Sequence, residues 1–175
     1  SQVCKKYTFF IFMDYIYISK LHIKMNIQFD VLRKSRELVL KELEGLTLEQ
    51  IHTIPTGFKN NIAWNVAHLV VTQQLLHYKL SGLNCLCSDD LIDAHKKGTS
   101  PTKTFTEEEF DEVKDLLIGL PDTLQEDFEA GIFKTFNEYP TSVGFVLTAI
   151  ENAIVFNNFH EGIHYGIIRS IKKFL

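Results

Sequence analysis

The chain has 175 residues, of which 45% are hydrophobic, enough for a single domain that can bury a core without disulfides. Its net charge is −4 and no basic stripe runs through it, which excludes a phosphate-backbone-binding face. The imbalance is sharper beyond residue 24: Lys5, Lys6, Lys20 and Lys24 against Asp14 leave −7 on residues 25–175.

Residues 1–24 differ in pattern from the rest of the chain. Tyr7 to Ile18 is aromatic and β-branched, broken by Asp14, too short to span a bilayer and without a small-residue cleavage site after it. This segment reads as an extension upstream of a patterned domain over 25–175, and if ordered it would pack as an added strand or helix. Ile27, Val31, Leu32, Val39 and Leu43 mark a first helix from about Ile27 to Glu44, stopped by Gly45. Thr47 and Gln50 have the spacing of a capping box, so a helical turn is expected there. Pro55 and Gly57 then make a turn.

Asn60 or Asn61 caps a second helix that runs to Ser81, with Gly82 as its stop. Asn61, Trp64, Asn65, His68, Thr72, Leu75 and Leu76 share its inward face. Trp64 reads as core, and His77 falls off that face toward solvent. The stretch 83–105 is a long connection and a candidate pocket rim. Within it Cys85 and Cys87 lack the spacing of a redox or zinc knuckle. With Cys4 they read as reduced thiols, which implies a cytoplasmic protein. Thr106 to Glu109 opens a third helix with a second capping box, and Gly119-Leu120-Pro121 interrupts it before it ends at Gly131. A last helix begins at Thr141 or Ser142 and runs to about Lys173. Four long helices without a rival strand pattern give an all-α four-helix bundle.

The chemistry concentrates in the last helix. His160 and His164 are four residues apart, on one face, with Cβ atoms about 6 Å apart. Two imidazoles so placed can converge on one ion. The segment His160-Glu161-Gly162-Ile163-His164 fits the H-E-x-x-H pattern of zinc proteases, but the tail after His164 holds no His, Asp or Glu to complete such a site. The third ligand must come from another helix. His68 is the candidate, because His22, His52, His77 and His95 lie in the extension, a turn, a helix end and a loop. Glu161 is a candidate general base, about 100° around the helix from the histidine pair, with a solvated or interfacial acid as the alternative. Asn65, Asn157 and Thr72 are placed to line the site or orient its imidazoles. Gly162 would make room for a neighbouring helix.

These two stretches, Ile62-Ala63-Trp64-Asn65-Val66-Ala67-His68-Leu69 and His160-Glu161-Gly162-Ile163-His164-Tyr165-Gly166-Ile167-Ile168, resemble the DinB/YfiT-like family over roughly residues 25–175. The resemblance implies up-down-down-up topology and a divalent metal, zinc first with nickel, iron or manganese as alternatives, held by His68, His160 and His164. It implies an S-transferase activating a low-molecular-weight thiol such as bacillithiol or mycothiol. The alternatives are a hydrolase using metal-bound water and a non-catalytic, stress-related binding module. The expected partners are a small thiol and an electrophilic substrate, with no nucleic acid, no membrane, and a homodimer left open. The interruption at Gly119–Pro121 departs from the family's continuous third helix.

Overall fold

Arg36 sits at the centre of the helical arrangement and shows how it is held together. The computed structural model describes residues 25–175; the expected extension 1–24 lies outside the described residues. Helix α1 occupies residues 25–43. Its buried stripe is Met25, Phe29, Leu32, Arg36 and Val39, a 4-3-4-3 spacing with a cation in the middle. Ile27 and Val31, assigned to the inward stripe from sequence, are exposed. Reading only apolar residues skipped Arg36 and shifted the face.

The remaining elements are α2 (Leu48–His52), α3 (Ile62–Gln74), α4 (Asp89–His95), α5 (Glu107–Glu129), strands β1 (Tyr139–Pro140) and β2 (Val146–Leu147), and α6 (Ile150–Lys172). Both capping boxes form, at Thr47 and at Thr106. Asn61 caps α3 by accepting from the Trp64 amide at 2.8 Å. Helix α3 continues through a π-helical turn, Leu75–Lys79, and the chain reverses at Gly82, whose φ of +74° is open to glycine at little cost. Every residue from Ile62 to Gln74 except Thr72 is buried, so α3 is the central helix, packed against α5 and α6. His77, expected at the surface, is fully buried with Leu76 and Tyr78 in the π turn, whose exposed side carries Lys79 instead.

Arg36 of α1 donates to the Leu69 carbonyl on α3 (3.2 Å), the Leu117 carbonyl on α5 (2.9 Å) and Glu161 on α6 (2.9 Å). The α5 contact corrects the expected interruption. Pro121 lacks the N–H that would bond to the Leu117 carbonyl, one turn earlier. Arg36 supplies the missing donor, and α5 runs through Pro121 unbroken.

Two other expectations change. The connection 83–105 contains α4, capped by Ser88, whose hydroxyl accepts from the Leu91 amide. The last helix starts at Ile150, not Thr141. Thr141 instead turns a hairpin, in which β1 pairs antiparallel with β2, Tyr139 opposite Leu147 and Pro140 opposite Val146. The Thr141 hydroxyl bonds to the backbone of Phe145 and is spent there, unavailable as a helix cap.

Candidate metal centre

His68, on the central helix, and His160 and His164, on α6, meet with ring nitrogens within 4.8 Å of one another. His68 Nε2 and His160 Nε2 are 3.2 Å apart. Two nitrogens bonded at about 2.0–2.1 Å to one tetrahedral ion would be about 3.3 Å apart, so the spacing suits a shared ion.

The tautomers are set by the neighbours. His68 Nδ1 faces the His95 carbonyl at 2.6 Å, and a carbonyl only accepts, so the proton sits on Nδ1 and Nε2 keeps its lone pair. His95 is the last residue of α4, where helix carbonyls lack helical partners. The negative end of the α4 dipole therefore points at His68. His164 Nδ1 lies 2.8 Å from Asn65 Oδ1. Asn65 cannot flip without loss, because its Nδ2 donates to the Asn61 carbonyl at 2.7 Å. His164 thus donates through Nδ1 and presents Nε2. Such outer hydrogen bonds orient metal-binding imidazoles and raise their basicity. Trp64, one turn before His68, stacks on its ring with centroids 4.5 Å apart and planes within 12°. His160 Nδ1 is buried without a hydrogen-bond partner among the described residues.

The imidazoles are held neutral, the form a metal takes. Burial, then the charges of His164, His68 and Arg36, push His160 down to about 2. Burial and His68 push His164 down to about 3. Burial lowers His68 as well, against the opposing hydrogen bond to His95. The donor chemistry, the spacing and the tautomers all fit a divalent ion.

A cavity of about 460 Å³ opens beside the three rings, within the usual range for small-molecule sites. Leu75, Leu76 and Leu80 form one wall, Phe156 and Phe159 another, and Thr141, Ser142 and Val143 of the hairpin tip a third. The hairpin, not expected from the sequence, shapes the pocket. Its signals were Gly144, with φ of +89°, and the hydroxyl of Thr141 four residues before Phe145. For α4 the available signal was Ser88-Asp89-Asp90 ahead of Leu91, Ile92 and His95, an N-cap with acidic charge in its first turn.

Glu161, the candidate base, is turned into the core. Its Oε1 accepts from Arg36 and, at 3.3 Å, from Asn157, and all three side chains are fully buried. Burial raises its carboxyl above the usual range, against the pull of Arg36 and Asn157. Asn157 consequently serves this ion pair, whereas Asn65 reaches the candidate ligand His164. Thr72 Oγ1 lies 3.3 Å from His68 Nε2 and lines the cavity. Among the described residues a Cβ at Gly162 would meet nothing within 4 Å, so no described helix approaches there. Cys85 and Cys87 are free thiols, both raised by burial, Cys87 to about 11, which makes them poor nucleophiles. Among the described residues no helix is long and apolar enough to cross a membrane.

The fold and the donor set together define the class: an all-α protein with a preformed three-histidine centre, suited to a divalent ion and open on one side. A model of the DinB superfamily matches residues 32–168, most of the chain, and the protein belongs to that superfamily. No curated protein matches the chain.

Proposed function

We propose that the protein is a metal-dependent enzyme that transfers a low-molecular-weight thiol to an electrophilic small molecule. The observation that carries the reading is the three-histidine donor set facing a cavity: three protein ligands with an open side are the arrangement of catalytic rather than structural sites. His68, His160 and His164 would hold a divalent ion, most simply zinc, which when bound would supply Lewis acidity to lower the pKa of a thiol or water beside it. The chain's own part is to keep three neutral donors in place, so that no protein anion offsets the ion's charge. Asn65 and the His95 carbonyl hold two rings in the ligating tautomer. Phe156 and Phe159 form a wall of the cavity and keep water from the acceptor.

Thiol transfer is favoured over hydrolysis because no carboxylate lines the cavity among the described residues, and Glu161 is committed to Arg36. A thiol needs only to lose its proton to become a nucleophile, whereas hydrolytic sites commonly also employ a general base. Three cysteines without a paired framework suit a reducing compartment, which supports a cytoplasmic setting.

Elemental analysis of the purified protein and of His68→Ala, His160→Ala and His164→Ala tests the ligands; each substitution should abolish stoichiometric metal. Conjugation of bacillithiol, glutathione or cysteine to a chlorodinitrobenzene should need both the metal and His160. Ester or amide hydrolysis without thiol dependence would move the protein to the hydrolases. Silence in both assays would leave a binding module.

A further inference from the structure

The cavity beside the histidines carries a charge pattern that the donor set does not explain. Apart from the imidazoles, the charged side chains in its lining are Lys79, in the π turn, and Lys97, just after α4. Both are exposed, which puts them at the mouth, while His68 is buried at the floor. Neither lysine has an ion-pair partner among the described residues, although nearby Lys96 is paired with Asp93. The chain as a whole is acidic, at −4, so a mouth with two lysines and no carboxylate reverses its average charge. Fixed charge of one sign around a low-dielectric cleft concentrates ligands of the opposite sign. Lysine stems can lie along apolar walls while their ammonium groups stay in water. Between mouth and floor the walls are aliphatic and aromatic, with Leu76, Leu80 and Phe156 in the lining.

We infer that the ligand of this cavity is an amphipathic anion, a carboxylate on an apolar body, with its head group at Lys79 and Lys97 and its body between Leu76, Leu80 and Phe156. The inference rests on the reading of the cavity as a substrate site and names the class of substrate. The lysines lie on segments that converge only in the folded chain, one closing the π turn of the central helix and the other leaving α4. The same α4 orients His68 through the His95 carbonyl, so head-group recognition and ligand orientation share one short helix.

Decanoate and decanol share an apolar body and differ in head group, which makes them the test pair. Each is titrated calorimetrically into the full chain, as purified and after chelation. Decanoate should bind once per chain and more tightly than decanol in both states, with the advantage shrinking at high salt. Lys79→Gln combined with Lys97→Gln should weaken decanoate by roughly threefold to thirtyfold, the range of two exposed charge contacts, and leave decanol binding unchanged. Equal affinity for the two probes, no binding of either, or decanoate binding indifferent to the lysines overturns the inference. Decanoate binding that disappears on chelation but ignores the lysines places the head group at the histidines and overturns it too. Metal content, measured on the same samples, reports separately on the metal centre. Lysine-dependent binding in a protein that takes no metal would sink the metal reading and keep this one.

Discussion

Arg36 and Glu161 are both fully buried, and their 2.9 Å contact joins α1 to α6 beside the candidate ligand His160. Removing one partner of such a pair strands a charge in low dielectric and costs about 3–5 kcal/mol, whereas an apolar replacement of both can be close to neutral. Arg36→Met should therefore destabilise the protein by that amount in denaturant titrations. Arg36→Met with Glu161→Leu should recover most of the loss; a double variant as unstable as the single would show that the carbonyl contacts, not the ion pair, dominate. Asn65 works at the same scale. Asn65→Leu keeps all three histidines but frees the His164 tautomer, and metal affinity should fall about 10–100-fold in competition with a chelator. His77 governs a different property. Burial pushes its pKa to about 3, while an unfolded histidine titrates near about 6.5. Between those values the unfolded chain holds more protons, so the stability from His77 is complete above about pH 6.5 and is lost as the pH falls toward about 3. His160 and His164 titrate over the same window, so the readout is the difference between variants. His77→Leu should flatten the dependence of melting temperature on pH, and parallel curves for wild type and variant would reject the assignment.

Helix α5 shows how an element can survive a residue that ordinarily breaks it. Proline inside a helix costs about 3 kcal/mol relative to alanine, partly through the carbonyl it leaves unpaired. Here that carbonyl, Leu117, accepts from Arg36. Pro121→Ala should stabilise the protein, and by a larger increment when Arg36→Met has already removed the substitute donor. Equal increments in the two backgrounds, within the few tenths of a kcal/mol expected of independent sites, would disprove the coupling. The α3 π turn and the β1–β2 hairpin act on the pocket in a similar way. One bulges the central helix beside the cavity, and the other folds a turn over it.

At the scale of the whole molecule, the candidate metal centre is set into a helical core that has other means of cohesion. One apolar cluster joins Val39 of α1, Val66 and Val70 of α3, Leu117 of α5 and Ile168 of α6; another joins Phe29, Leu32, Leu124 and Ile154. Burial on this scale supports a domain of this length without a metal. Chelation should leave the helical circular dichroism in place. An ion bound a thousandfold above its dissociation constant adds about 4 kcal/mol, so its removal should lower the melting temperature by on the order of 10 °C. Loss of helicity on chelation would make the metal a folding requirement instead.

Much of this protein was legible in the chain itself. The i, i+4 pair His160 and His164, the Asn61 cap and the capping boxes at Thr47 and Thr106 are decided within one helical turn, by geometry that the neighbouring residues carry. His68 as the third member of the cluster came from eliminating the other histidines. What the chain alone left open was which buried polar group meets which. Arg36 finds Glu161 across 125 positions, and Asn65 finds His164 across 99. The His95 carbonyl reaches His68 only because a short helix forms where a loop was expected. Such partners are chosen by desolvation: a buried donor must be satisfied by whatever the packing brings within about 3 Å, and local sequence holds no record of that choice. For the same reason helical periodicity misplaced His77 and the helix-breaking signal misjudged Pro121, one enclosed by neighbouring helices and the other rescued by one, and only the tertiary structure decided both.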